Sequence, residues 1–132
     1  MTGLLPPPPS PDSAAFYAAA AEGRFLLPRC ETCGRAHWYP RPLCPFCFGP
    51  ARLEPASGRG RIYSVSVMRR ASPPFAIAYV ALDEGPKMLT HIVDCDLDAL
   101  SIGLAVAVTF KPTDGGTPVP CFRPDAAGGT GP

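Results

Sequence analysis

Cys30-Glu31-Thr32-Cys33-Gly34 and Cys44-Pro45-Phe46-Cys47 are two C-x-x-C units with ten residues between Cys33 and Cys44. Each unit lets two sulfurs converge from one tight turn, and Gly34 permits the backbone to fold back so that amides point at sulfur. Two such turns supply four thiolates at the corners of a tetrahedron, about 2.3 Å from a central ion. The pattern predicts one zinc held by Cys30, Cys33, Cys44 and Cys47, with iron in a redox site as the competing metal. With every corner filled by sulfur, no position is left for water, which a catalytic zinc requires. The knuckle is therefore expected to be structural, contributing on the order of 10 kcal/mol of folding free energy, as in zinc-finger peptides.

Outward from the cysteines the chain has room for one ordinary domain, or for a small domain plus a module, in 132 residues. Hydrophobic residues make up 46%, enough for a core. The 19 Pro and 13 Gly gather at the N-terminus, around the cysteines and after Arg123, which reads as loose ends about a compact middle. The formal charge is +1 with neutral thiols; four thiolates and one divalent ion bring it near −1. Between Arg24 and Arg52 lie five Arg and one Glu, and Arg29, Arg35 and Arg41 stand beside the sulfurs, where they offset the negative site. Ser57 to Pro124 holds seven Lys/Arg against six Asp/Glu, which is no basic stripe for nucleic acid. No export signal or run of eighteen apolar residues is visible, so the cysteines read as metal ligands in a reducing cytoplasm, away from any membrane.

Five segments follow. Residues 1–11 form a Pro-rich tail. Residues 12–23 are Ala-rich and read as a helix capped by Asp12 or Ser13 and stopped at Gly23. Residues 24–56 are the metal ribbon, opening with a strand over Arg24–Arg29 and closing with a connector over Ala51–Ser57. Residues 57–124 are the β domain, and 125–132 a second tail. Within the β domain Arg61–Met68 places Tyr63, Val65 and Val67 on one face, expected to be core, and Phe75–Leu82 reads as a strand covered on both faces. Lys87–Val93 returns, Asp96 caps one helical turn, Leu104–Phe110 alternates, Thr113–Thr117 turns and Val119–Phe122 is the last strand. Five strands with a helical turn between the third and fourth match an OB barrel, and propensity alone leaves a small sandwich open. The fold class is mainly β.

A helix this short must dock its aromatics, Phe16 and Tyr17, on the rest of the chain or on a second protein. Trp38 and Tyr39, in the loop between the cysteine pairs beside His37, suit either internal packing or a partner surface. Arg69 and Arg70 open a loop that flanks the ligand face of an OB barrel, where they could hold phosphates or stand as a solvated pair. Cys95, between Asp94 and Asp96, is a poor nucleophile, and Cys121 reads as an ordinary barrel cysteine. His91 has no evident partner for general-base work. No catalytic set is assembled.

The stretches Gly23-Arg24-Phe25-Leu26-Leu27-Pro28-Arg29-Cys30, Tyr39-Pro40-Arg41-Pro42, Ser57-Gly58-Arg59-Gly60, Leu82-Asp83-Glu84-Gly85 and Phe122-Arg123-Pro124, in this order around the cysteines, resemble the OB-fold acyl-CoA-associated family with a rubredoxin-like zinc ribbon, long called domain of unknown function 35. Two positions depart from it: Phe48 stands where the family often has Gly, and Glu54-Pro55 where it often has Trp. The resemblance implies an N-terminal helix, a four-Cys zinc ribbon and a C-terminal OB barrel. It also implies a subunit without activity of its own, serving a thiolase-like or lipid-transfer-protein-like enzyme of acyl-CoA or steroid side-chain metabolism, beside an acyl-CoA site. Two other classes compete: a single-stranded nucleic-acid module, which the weak charge and a core Tyr63 disfavour, and a small iron electron carrier.

Overall fold

The computed structural model describes residues 13–38, 40, 43–113 and 116–125. The tail 1–11, Asp12, Tyr39, Arg41, Pro42, Asp114, Gly115 and residues 126–132 lie outside the described residues. The chain divides into two compact units, Met1–Ser57 with Phe110–Pro120, and Gly58–Thr109 with Cys121–Pro132. Among the described residues no helix is long and apolar enough to cross a membrane.

The first unit opens with helix α1 (Ala14–Ala21). Ser13 holds the N-cap position without a side-chain cap bond, and Gly23, at φ 77°, turns the chain away at the other end. Phe16, Ala19 and Ala20, at i, i+3 and i+4, form its buried face. Phe16 is 1% exposed and packs its ring 4.8 Å from Trp38 and 6.1 Å from Phe25, with Tyr17 at 5.0 Å edge-on. Of the two docking places the sequence allows for these aromatics, the rest of the chain or a second protein, Phe16 takes the first: one helix of small residues needs a large side chain to fasten it, and Phe16 does this inside the chain. Strand β1 (Leu26–Cys30) pairs antiparallel with β2 (Ala51–Pro55), from Leu26 opposite Pro55 to Cys30 opposite Ala51. The segment expected to be a connector is thus a strand. Its Arg52 and Glu54 alternate with Ala51 and Leu53 over too few residues to announce a period, and its pairing comes from the ribbon's closure.

The second unit contributes to a closed barrel in the order β3-β4-β5-β7-β6, formed by β3 (Arg59–Met68), β4 (Phe75–Leu82), β5 (Lys87–Ile92), β6 (Ala105–Pro112) and β7 (Pro118–Pro124). This settles barrel against sandwich. The β3–β4, β4–β5 and β3–β6 pairs are antiparallel, and β5 meets β7 in parallel at Ile92 and Phe122. Between the third and fourth barrel strands, Leu97–Ala99 forms a 3-10 turn whose N-cap, Asp96, accepts from the Asp98 amide at 3.0 Å, as the sequence predicted. Ile62, Ala76, Ala78, Val80, Leu82, Met88, Ile92, Val106 and Phe122 fill the barrel.

Two expectations about faces are corrected. The β3–β4 register shifts between Ile62 and Ser64, so Tyr63 is an extra residue in β3. Gly60 and Ile62 point inward before the bulge, while Val65 and Val67 oppose the buried Ala78 and Ala76 after it. Tyr63 falls out of that alternation, lies 57% exposed and carries the Lys87 ammonium 4.7 Å over its ring. In β4, burial alternates rather than covering both faces: Ala76, Ala78, Val80 and Leu82 are inside, Phe75 and Tyr79 outside.

Candidate metal centre

The two cysteine turns are built to one plan. In each, the amide of the first cysteine donates to the carbonyl five residues on: Cys30 to Arg35 at 2.9 Å, Cys44 to Gly49 at 2.8 Å. In each, the amide four residues on donates back to the first cysteine's carbonyl: Gly34 to Cys30 at 3.1 Å, Phe48 to Cys44 at 2.9 Å. A single bridge closes the base of each turn, Arg29 with Ala36 and Leu43 with Pro50. This geometry aims amides at sulfur. Thr32 and Cys33 donate to Cys30 Sγ, and Phe46 to Cys44 Sγ, all at 3.3 Å.

The four sulfurs lie within 4.8 Å of one another, with Cys30 to Cys47 at 3.4 Å and Cys33 to Cys44 at 3.7 Å. Tetrahedral bonds of about 2.3 Å would separate sulfurs by about 3.8 Å, so the donor set fits one zinc-sized ion. The electrostatics agree. The Cys33 amide, joined by that of Thr32 and the Cys47 and Cys33 thiols, brings the Cys30 thiol down to about 6 against the opposing pull of desolvation. The Gly49 amide pulls the Cys47 thiol down, but Cys30 facing it, with burial and the other two thiols, leaves it at about 11. Four thiolates this close repel one another, and a cation among them lets all four sulfurs hold their charge. Cys30 and Cys44 are buried, Cys33 and Cys47 exposed.

Gly49 makes the site compact. A Cβ there would stand 2.6 Å from Thr32 Oγ1 and 3.1 Å from Cys30 Sγ. Arg29 braces the first turn: its guanidinium meets Glu54 at 3.1 Å and the Gly34 carbonyl at 2.5 Å. Arg35 lies 4.8 Å over the Phe46 ring.

The other candidates are scattered. Tyr17 and Trp38 are half-buried beside Phe16. Arg69 is exposed and pairs with Asp98 at 2.5 Å, and Arg70 is exposed beside it. Burial, then Asp96 and Asp94, raise the Cys95 thiol, and Cys121 is buried. Burial lowers the half-buried His91, whose ring lies 5.5 Å from Phe75. Three apolar side chains on the second cysteine turn, Leu43, Phe46 and Phe48, are exposed; from the sequence Phe48 stands out only as a departure from the family pattern, and Leu43 and Phe46 not at all. Their signal was present in the two phenylalanines bracketing Cys47.

Comparison with known proteins places this geometry. Residues 18–54 match the family described as the ChsH2 rubredoxin-like zinc ribbon domain, and residues 53–111 the ChsH2 C-terminal OB-fold domain. A DUF35 domain-containing scaffold protein of Methanothermobacter thermautotrophicus is 36% identical over 91 residues, covering 63% of this chain and 68% of the relative. A probable enoyl-CoA hydratase alpha subunit of Thermomonospora curvata is 32% identical over 120 residues, 86% of this chain, which spans 37% of that protein's length. Among solved structures, a chain of the Ltp2-ChsH2(DUF35) aldolase superposes with a TM-score of 0.79 at 30% identity, over 90% of this chain and 98% of that one. A DUF35 protein from Sulfolobus solfataricus, at 13% identity and a TM-score of 0.64, shares the fold over 88% of this chain and 87% of its own. The four cysteines are the ligand set of a rubredoxin-like zinc ribbon, positioned for one metal ion. The chain belongs to the DUF35 family, with a ChsH2-type zinc ribbon followed by an OB-fold domain.

Proposed function

We propose that this chain is a non-catalytic accessory subunit of an acyl-CoA enzyme of the thiolase superfamily, folded around a structural zinc, with the reacting groups supplied by the partner. The observation that carries this is the four-sulfur cluster: an ion held by Cys30, Cys33, Cys44 and Cys47 would have all four tetrahedral positions filled and none open for substrate. Support for the partner class is the likeness to a chain of the Ltp2-ChsH2(DUF35) aldolase and to a hydratase subunit. Arg69 and Arg70 are the candidate contacts for a CoA phosphate, which requires Arg69 to exchange Asp98 for the ligand. Co-expression with the thiolase-like subunit of the same genome tests the reading. Co-elution as one complex, and a partner made more soluble or more active, is the expected result. A chain that elutes alone and leaves that subunit's solubility and activity unchanged contradicts it.

One observation favours a second reading. With Tyr63, Phe75 and Tyr79 exposed on the outer face of β3 and β4, the barrel offers stacking surfaces that a core Tyr63 would have removed. Salt-dependent binding of a labelled single-stranded oligonucleotide, lost in Tyr63→Ala, would support a nucleic-acid module.

A further inference from the structure

Gly34 and Phe48 occupy the same place in the two cysteine turns, and the backbone there demands the same thing of both. Each is the residue whose amide returns to its turn's first cysteine, and each has a left-handed φ, 76° at Gly34 and 63° at Phe48. Glycine adopts that conformation freely; a phenylalanine is strained in it. The chain nevertheless places there a side chain that is 75% exposed, so the strain is not offset by burial. Leu43 and Phe46, on the same turn, are 51% and 55% exposed. Three large apolar residues lie within six positions on one cysteine turn, one of them in a glycine conformation, and more than half of each is exposed even with the Arg35 guanidinium over Phe46.

We infer that the tip formed by Leu43, Phe46 and Phe48 is an anchor that enters an apolar, acid-rimmed socket on the partner enzyme subunit. This rests on the accessory-subunit reading above and assigns the surface that performs it. Counting about 200 Å² for a whole aromatic side chain, the tip exposes roughly 300 Å². That is well short of the ~800 Å² per partner of a stable interface, and of a size with the few buried anchors that carry most of the binding energy within one. The turn's backbone is fixed by its amide bonds to the Cys44 carbonyl and sulfur, so little freedom is lost when the rings dock. The Arg35 guanidinium, stacked 4.8 Å over Phe46, makes no ion pair among the described residues and sets the rim's expected charge. The same cation argues against a second copy as occupant, because a two-fold pairing of tips would bring Arg35 toward its own image.

Phe48→Gly separates docking from folding, because it removes the ring and relieves the backbone together. We would titrate the wild-type chain, Phe48→Gly and Phe46→Ser against the thiolase-like subunit by calorimetry, with melting temperature, zinc content and sedimentation measured on each. Expected are full zinc in all three, a melting temperature for Phe48→Gly equal to or above wild type, and binding weakened at least tenfold in both variants. Wild-type affinity in both variants overturns the inference while leaving the accessory reading intact. No binding by the wild-type chain removes that reading and this inference with it. A wild-type homodimer that Phe48→Gly dissolves makes a second copy the occupant and also overturns it.

Discussion

Gly49 backs directly onto Thr32: a Cβ at position 49 would lie 2.6 Å from the Thr32 hydroxyl oxygen and 2.8 Å from its Cβ, with Cys30 Sγ at 3.1 Å behind them. The two cysteine turns therefore meet through an atom that is not there. Gly49 also accepts the Cys44 amide at 2.8 Å, so the position cannot drift without opening the second turn. Gly49→Ala is expected to push Cys30 off its tetrahedral corner. Zinc retention under a competing chelator should fall at least tenfold, in line with the sensitivity of metal sites to ligand placement. Retention equal to wild type would show that the two turns can separate without loss.

The aromatic cluster should report on the first unit as a whole. Phe16→Ala removes a fully buried ring and is expected to cost about 3–5 kcal/mol. Trp38, the chain's one tryptophan, lies 4.8 Å from that ring, so its emission should shift to the red at lower denaturant in the variant. An unchanged unfolding midpoint would mean that α1 contributes little to the ribbon.

The barrel has its own close approach. A Cβ on Gly60 would stand 2.5 Å from the Ala81 carbonyl oxygen and 2.8 Å from a Val80 methyl, where β3 and β4 pair. Gly60→Ala should destabilise the barrel by roughly 1–3 kcal/mol, read from thermal melting. A melt matching wild type would show that the strands part easily.

The pattern of what could be foreseen has a physical reason. Local chemistry was legible. The cysteine spacing announced the metal turns, Asp96 its own cap, and Gly23 the end of α1. The succession of five strands along the chain and the turn between the third and fourth could also be read from alternation and turn residues. What depended on distant parts of the chain was not legible. Ala51–Pro55 is a strand because β1 lies beside it, and nothing in its five residues says so. The face of β3 was misjudged because one extra residue, Tyr63, reverses the alternation, and a bulge leaves no mark in composition. Phe16 and Trp38 each suited internal packing or a partner until the fold set their rings 4.8 Å apart. The strain at Phe48 needed a backbone angle to be seen.

Acidification should act through His91. Burial holds its folded pKa below the ordinary 6.5, so the unfolded chain takes up its proton first as pH falls. The neutral ring's contribution to stability is complete above pH 6.5 and declines as pH drops through that value toward the folded pKa. Its ring signals in NMR should titrate with a midpoint below 6.5, and His91→Gln should reduce the loss of stability between pH 7.5 and 5.5. A midpoint at or above 6.5 would contradict the burial argument.

The decisive measurement is thiol release from an acyl-CoA by the purified, zinc-loaded chain on its own. The account predicts no turnover above background, with activity arising only once a partner subunit is added. Turnover by the isolated chain that disappears in Cys44→Ser, or when the metal is stripped, would contradict it.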